Sequence, residues 1–224
     1  MGRSTGWKRR PVVPRAEQVA SNRRQLLTAA RDVFGELGYA RASLDEIADR
    51  AGFTKGAVYS HFRSKADLFL SLLEEQIEQR ATGQRDQASG TMTAPEVATM
   101  VRQVVSLSRA DPRWRLAVLE FRVVAARDEQ LNARYAAAHR KATDGLVETV
   151  GAMFRALGTQ PRVPIEDLAA IAFALDSGGF LEDVAIPGSM PSECVAELFS
   201  HLAGLPSDSD ETTNARRDQK EAAR

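Results

Sequence analysis

The feature that most constrains this chain is residues 43–62, which read SLDEIADRAGFTKGAVYSHF. Apolar or small side chains recur at helical spacing in two short segments, one on each side of Gly52. Ser43 and Thr54 are natural N-caps for these segments, and Glu46 takes the capping-box position after Ser43. Gly52 can adopt the left-handed conformation that ends one helix and redirects the chain. The pattern therefore predicts a helix-turn-helix, whose second helix is suited to enter a DNA major groove.

Five residues of this second helix lie off its apolar stripe and are candidates for contact with DNA: Lys55, Gly56, Tyr59, Ser60 and His61. Lys55 is a cation at the start of the helix, where it can reach a base edge or a phosphate. Ser43 and Thr54 hold hydroxyls at helix N-termini, where backbone N–H groups also favour a phosphate; their alternative role is capping alone. Gly56 either permits close approach of the backbone to DNA or simply lowers helix propensity.

The distribution of charge agrees with a DNA-binding end. Residues 1–70 hold 13 Lys and Arg against 7 Asp and Glu, so this part has a net charge of +6, although the whole chain is neutral. A basic region is attracted to phosphates, which supply most of the non-specific affinity for DNA. The alternative is a chance imbalance of charge on a solvated surface. The charge supports DNA binding only in combination with the helix-turn-helix pattern.

The remaining sequence predicts an all-α protein with a head and a body. We expect a three-helix DNA-binding head at residues 21–66 and a helical-bundle body at residues 67–205. Residues 1–20 are predicted to be a flexible basic arm that contacts DNA, or a passive tail, and residues 206–224 a disordered tail. We further expect a loop at residues 82–93, and a helix at residues 165–185 that is interrupted or locally loosened near Gly178 and Gly179.

Several classes of protein are disfavoured by what the sequence lacks. The single cysteine, Cys194, excludes an intramolecular disulfide and a cysteine cluster for zinc. No metal, cofactor or nucleophile motif is present, so we expect neither a cofactor nor an enzyme. No apolar run is long enough to span a bilayer, and the basic N-terminus lacks the apolar stretch of a signal peptide. The expectation is a cytoplasmic protein without a membrane partner.

Residues 22–70 resemble the DNA-binding head of TetR (tetracycline repressor-like) transcriptional regulators. The resemblance depends on many positions in fixed order. A helix with Leu-x-x-Ala-Ala-x-x-x-Phe leads to Gly-Tyr and Ser-Leu-x-x-Ile-Ala, and then to Gly-Phe-Thr-Lys-Gly-Ala-Val-Tyr-x-His-Phe and Ser-Lys-x-x-Leu-Phe. Beyond residue 70 the chain is similar to the family only in being helical.

This resemblance implies a homodimeric repressor that binds a palindromic double-stranded operator and is released by a small-molecule effector. Similarity to the family makes Tyr59 and His61 phosphate contacts, although a lone histidine is more often an ordinary surface residue. Lys65 would meet a phosphate from the start of the next helix, or would simply be solvated. The alternative function is a DNA-binding regulator without a small ligand, controlled by a protein partner.

The body offers candidates for an effector pocket and for a dimer interface. Aromatic and polar residues on its predicted helices are the pocket candidates: Trp114, Glu120, Phe121, Tyr135, His139, Phe173, Asp176 and Phe180. For each aromatic residue the alternative is ordinary core. Glu120 lies among apolar neighbours and would need a ligand or a partner such as Arg122. The helices predicted at residues 165–185 and 191–203 would form the dimer interface, or else close the subunit's own core.

Overall fold

The computed structural model describes residues 14–87, 93–108 and 110–204, and in these ranges all regular structure is helical. The all-α prediction is therefore confirmed. The helices are α1 (Arg15–Arg41), α2 (Leu44–Ala51), α3 (Lys55–His61), α4 (Lys65–Gln87), α5 (Ala94–Ser108), α6 (Pro112–Ala125), α7 (Glu129–Leu157), α8 (Ile165–Ala185) and α9 (Ser192–Ala203). None of the described helices is long and apolar enough to cross a membrane.

The ends of the body helices follow from capping residues that the sequence displays. Asp111 caps α6 by accepting a hydrogen bond from the backbone N–H of Trp114, and Asp128 caps α7 by accepting one from Leu131. Gly158 follows α7 with φ of 66°, a conformation that glycine adopts without steric cost. Local chemistry thus fixes these boundaries before any tertiary contact is considered.

The head consists of α1, α2 and α3, and its core continues into the next elements. Phe34, Ile47, Val58 and Phe62 are at most 1% exposed and form part of this core. The same cluster of buried side chains includes residues of α4 and α6. The head and body therefore share one continuous core, and the predicted boundary at residue 66 does not separate two cores.

Aromatic rings form the centre of this shared core. Phe69 of α4 stacks on Phe121 and Trp114 of α6, with ring centroids 4.5 and 5.0 Å apart. Tyr39 meets Phe69 and Phe121 edge to face at 5.1 and 4.8 Å, and Phe34 meets Phe69 at 4.9 Å. Each such pair adds about 0.5–1.5 kcal/mol beyond the burial of area, so the cluster ties α1, α4 and α6 together.

A second hydrophobic cluster holds the rest of the body. It joins α5, α7, α8 and α9 through buried residues that include Val97, Met153, Phe154, Leu168 and Phe199. Because α4 packs on α7, and α7 on α8, the first cluster is connected to the second through long helices. A displacement in the body can therefore reach the head through helices rather than through loops.

The first helix begins earlier than the sequence predicts. Residues 15–20, predicted as part of a flexible arm, form the first turns of α1. Pro14 precedes the first helical residue, where its fixed φ and missing N–H are tolerated, so Pro14 marks the start of the helix. The rest of the predicted arm, residues 1–13, and the predicted tail at 206–224 lie outside the described residues.

Two predicted interruptions are also wrong. Residues 82–87, predicted as loop, extend α4 to Gln87, and the remainder of that predicted loop lies largely outside the described residues. Helix α8 runs without a break through Gly178 and Gly179. A glycine costs a helix only about 1 kcal/mol relative to alanine, and tertiary packing of a long helix offsets such a cost.

Candidate functional site

The two helices of the predicted DNA-binding motif have the capping geometry that the sequence indicates. Ser43 Oγ accepts a hydrogen bond from the Glu46 N–H at 3.2 Å, and Thr54 Oγ1 accepts one from the Ala57 N–H at 3.3 Å. Gly52 lies between the helices with φ of 71°. The buried pair of Ile47 in α2 and Val58 in α3 fixes the inner faces of the motif, so the outer face of α3 is presented to solvent.

That outer face is exposed and polar. Lys55, Gly56, Tyr59 and Ser60 are all exposed, and Tyr59 is 49% exposed although it is aromatic. A Cβ atom added to Gly56 would meet nothing within 4 Å, so packing within the protein does not require glycine there. His61 is half-buried beside Phe62, and its ring is less available than that of Tyr59. The face matches what insertion into a groove demands.

Lys55 is held by a neighbour in the structure. Its Nζ lies 2.7 Å from Asp45 Oδ2, and this hydrogen bond raises the pKa of the Lys55 ammonium. Both side chains remain more than half exposed, at 59% and 57%. A solvent-screened pair of this kind contributes little to stability, so Lys55 can exchange Asp45 for a DNA group at small cost.

Lys65 does not have the role that the sequence predicts. Its Nζ donates hydrogen bonds to the carbonyl oxygens of Tyr39, Ala40 and Ala42 at 2.8, 3.1 and 3.0 Å. It also lies 4.5 Å from the centroid of the Tyr39 ring. Burial lowers the pKa of Lys65. The three donors of the ammonium are directed at backbone of the protein, so Lys65 is a structural residue instead of a phosphate contact.

Glu120 is likewise not a pocket residue. Its carboxylate accepts a hydrogen bond from the Ala40 N–H at 3.1 Å and lies beside Gly38, which has φ of 78°. A Cβ atom added to Gly38 would come within 2.6 Å of the carboxylate. We call residues 38–42, together with Lys65 and Glu120, the head–body junction. Here α4 supplies a cation and α6 an anion to the backbone at the end of α1, which is kinked at Gly38, and at the start of its connection to α2.

A cavity of about 140 Å³ lies between α4, α6, α7 and α8; we call it the body cavity. Five of the predicted pocket residues line it, namely Trp114, Tyr135, His139, Phe173 and Asp176. Its other lining residues are Leu73, Gln76, Ile77, Arg115, Val118, Leu119, Arg122, Ala142 and Ser177. Phe121 belongs to the aromatic core and Phe180 packs under Arg115, so neither they nor Glu120 are among the lining residues.

The polar groups of the body cavity are partly neutralised by each other. Arg115 donates to Asp176 Oδ2 at 2.7 Å and to the Asp176 carbonyl oxygen at 2.9 Å. The His139 ring stacks on Tyr135 at 5.7 Å and meets Phe173 edge to face at 4.9 Å. Burial lowers the pKa of the His139 imidazole, and the nearby Arg122 lowers it further, so the ring is neutral at pH 7.

A wider depression of about 500 Å³ lies between α1 and α2 of the head. It is lined by polar and small side chains, among them Arg24, Thr28, Asp32 and Arg50. It has no aromatic wall. The smaller body cavity combines apolar walls with a few converging polar groups, which is the usual make-up of a small-molecule site. We therefore take the body cavity, and not the depression on the head, as the candidate ligand site.

Comparison with known proteins identifies the head. The family model of "Bacterial regulatory proteins, tetR family" matches residues 26–72. Residues 26–72 are therefore similar to the DNA-binding head of the TetR family. The resemblance read from the sequence is thereby confirmed, and the match spans α2, α3 and the start of α4, including the junction residue Lys65.

Curated relatives of this chain are regulators of transcription. The activator FasR of Mycolicibacterium smegmatis is 44% identical over 88 residues, which cover 39% of this chain and 38% of FasR. The repressor AcnR of Corynebacterium diphtheriae is 30% identical over 114 residues, covering 47% of this chain and 59% of AcnR. The chain thus spans less than two thirds of the length of these relatives. Their names agree with the prediction that the chain is not an enzyme.

Solved structures of the same fold cover both head and body. A TetR transcription regulator from Haloarcula marismortui has a TM-score of 0.67 at 19% identity, covering 83% of this chain and 97% of that one. FadR from Bacillus subtilis, solved in complex with stearoyl-CoA, has a TM-score of 0.65 at 18% identity, covering 82% and 99%. At such identities the likeness concerns the fold, and it extends to the body, where the family model does not reach.

Gln76, Arg115 and Arg122 also line the body cavity, although the sequence did not predict them as pocket residues. Gln76 follows Phe69 and Leu72 at helical spacing, so it is a polar residue on a stripe that is otherwise apolar. That break in the pattern was a usable indication of a polar group turned towards the interior. Arg115 and Arg122 gave no comparable indication, because α6 is rich in arginine.

Replacing Lys65 by methionine tests its structural role. We expect Lys65→Met to lower the free energy of unfolding by about 2 kcal/mol or more, because three carbonyl oxygens lose their donor. The measurement is urea unfolding followed by circular dichroism. The matched control is Lys141→Met, since the Lys141 side chain is 58% exposed and lies 3.8 Å from Glu74. Unchanged stability with a shallower salt dependence of DNA binding would restore the phosphate role.

Proposed function

We propose that this chain is a homodimeric DNA-binding regulator whose affinity for its operator is controlled by a small molecule in the body cavity. One observation supports this above the rest. Helices α4 and α6 contribute both to the head–body junction, through Lys65 and Glu120, and to the body cavity, through Gln76 and Arg122. Whatever displaces these helices in the cavity must also move the backbone that enters the DNA-binding motif.

In this proposal α3 enters the major groove of double-stranded DNA. Lys55 contacts a base edge or a phosphate, Tyr59 contacts the DNA backbone, and Gly56 lets α3 approach closely. The capping residues Ser43 and Thr54 add phosphate contacts from helix N-termini. His61 stays a weaker candidate because it is half-buried. The net charge of +6 in residues 1–70 supplies general attraction to DNA.

We propose that ligand binding weakens the complex with DNA by changing the separation of the two heads of the dimer. A palindromic operator presents half-sites about one helical turn, 34–36 Å, or more apart, and a dimer binds both only when its heads have the matching separation. A ligand that favours another position of α4 and α6 lowers the population of the competent state. Repression is the proposed mode because occupancy of an operator alone can block transcription, although relatives include an activator as well as repressors.

The dimer is proposed to form through α8 and α9. Large apolar side chains are exposed on or directly after these helices: Leu181, Val184, Ile186, Leu198 and Leu202, which are 37–65% exposed. Several large apolar side chains exposed together on two neighbouring helices are typical of an interface. It favours the interface over the alternative that these helices only close the subunit's own core.

Substitution of Lys55 tests the DNA-binding face. Lys55→Ala should weaken binding to an operator selected from random DNA by about tenfold or more, because a contact with a base edge or phosphate is lost. Fluorescence anisotropy gives the affinity, and thermal unfolding should be unchanged because the Lys55 side chain is exposed. The control Lys141→Ala removes a surface lysine of the body. Equal binding by wild type and Lys55→Ala would contradict the assignment.

A charge placed on α9 tests the dimer. Leu198→Glu should convert a dimer into a monomer, since burial of an unpaired carboxylate in an apolar interface is costly. Sedimentation equilibrium measures the mass. Val163→Glu is the control, because Val163 is also an exposed apolar residue, at 37%, but precedes α8. A monomeric wild type, or a Leu198→Glu variant that remains dimeric, would place the interface elsewhere.

A further inference from the structure

The side-chain amide of Gln76 has an unpaired hydrogen-bond donor at the body cavity. Its Nε2 atom is fully buried and has no hydrogen-bond partner among the described residues. An unpaired buried donor costs free energy, and in folded proteins such groups are rare unless water or a ligand completes them. Because Gln76 lines the cavity, an acceptor placed there would remove the cost. The ligand should therefore carry an oxygen acceptor.

The charges around the cavity favour an anion. Asp176 is paired with Arg115, at 2.7 Å, so the one carboxylate among the lining residues is neutralised. The Arg122 side chain has no hydrogen-bonded or ionic partner in the part of the chain that the structure describes. Its charge adds to the burial that lowers the pKa of His139, and it opposes the burial that raises the pKa of Tyr135. With His139 neutral, the lining has a net charge of about +1 at pH 7. An anion near Arg122 gains attraction, whereas a cation is repelled.

The size and walls of the cavity limit the rest of the ligand. A dry cavity of about 150 Å³ in another protein holds one benzene molecule, and the body cavity has about 140 Å³. Three aromatic rings line it, those of Trp114, Tyr135 and Phe173, together with aliphatic side chains. Aromatic rings pack well against another ring by stacking or edge to face, so these walls favour a flat aromatic group over a long flexible chain.

We infer that the body cavity binds a carboxylate with a single aromatic ring. The ring packs among Trp114, Tyr135 and Phe173, while a carboxylate oxygen accepts the hydrogen bond from Gln76 Nε2 and the negative charge faces Arg122. This inference rests on the proposed function, in which the body cavity is the effector site, and it names the chemical class of that effector.

Calorimetric titration of the full chain tests the class of ligand. The probes are benzoate, 4-hydroxybenzoate and phenylacetate, with benzyl alcohol and benzylamine as neutral and cationic controls of similar size. At least one carboxylate should bind with a dissociation constant below about 1 mM, a value that about 4 kcal/mol of binding free energy provides. The alcohol should bind at least about tenfold more weakly, since it lacks the charge-assisted hydrogen bond. Benzylamine should not bind.

Variants connect that binding to named residues. Gln76→Leu should weaken carboxylate binding about tenfold, because a charged acceptor loses its donor, and Arg122→Gln should weaken it to a similar degree. Arg140→Gln is the matched control, since Arg140 is exposed on α7 and does not line the cavity. It should bind as wild type does. Thermal unfolding without ligand should show that all three variants are folded.

Several results would overturn the inference. They are absence of binding by all three carboxylates, equal binding of benzylamine, or affinity that rises steadily with chain length from hexanoate to tetradecanoate. The last result would mean that the cavity opens for an acyl chain. DNA binding by the same preparations separates the two proposals. If the protein binds DNA but none of the ring carboxylates, the proposed DNA-binding function stands and only the inferred class of ligand is refuted.

Discussion

The structure depends most on the hydrogen bonds that two charged side chains make to one short stretch of backbone. Lys65 of α4 donates to three carbonyl oxygens within residues 39–42, and Glu120 of α6 accepts from the Ala40 N–H between them. Backbone groups that leave a helix need partners, and here the next helices of the chain provide them. The position of the DNA-binding motif is thereby set by α4 and α6 as well as by the packing of its own helices.

The same two helices form walls of the body cavity, so in the proposed function a small molecule there acts on the DNA-binding motif through them. Between cavity and junction lie the stacked rings of Phe69, Phe121 and Trp114, at 4.5 and 5.0 Å. Closely packed interiors transmit displacement because they contain little free volume to absorb it. A ligand changes the affinity for DNA only as far as it binds two arrangements differently, so the coupling needs a cavity whose walls move with the junction.

The sequence was sufficient for the head because its decisive features are local. Caps at Ser43 and Thr54, the left-handed Gly52 and the apolar spacing of α2 and α3 act within a few residues, and all are present in the structure. The sequence did not indicate the contacts that Lys65 and Glu120 make, because their partners lie 23–26 and 80 residues away along the chain. No pattern reveals such contacts. A lysine at a helix start resembles a phosphate ligand until the fold places carbonyl oxygens around it.

The body was predicted less completely for a related reason. Five of the eight predicted pocket residues do line the cavity, because aromatic side chains on an amphipathic bundle tend to face inward. Which of them meet at a cavity and which fill the core depends on helix rotation, and periodicity alone does not fix that rotation. Phe121 and Trp114 lie on the same helix, yet one is pure core and the other also faces the cavity.

The most direct test of coupling between the cavity and the DNA-binding motif is to fill the cavity with a larger side chain and measure the affinity for the operator. Ala142 lines the cavity, and Ala142→Leu should lower operator affinity about fivefold or more, with Ala137→Leu on the exposed side of α7 as control. In a Glu120→Ala background, where the junction has lost its anion, the same substitution should have a clearly smaller effect. Unchanged affinity in folded Ala142→Leu, or an equal loss in both backgrounds, would contradict the account.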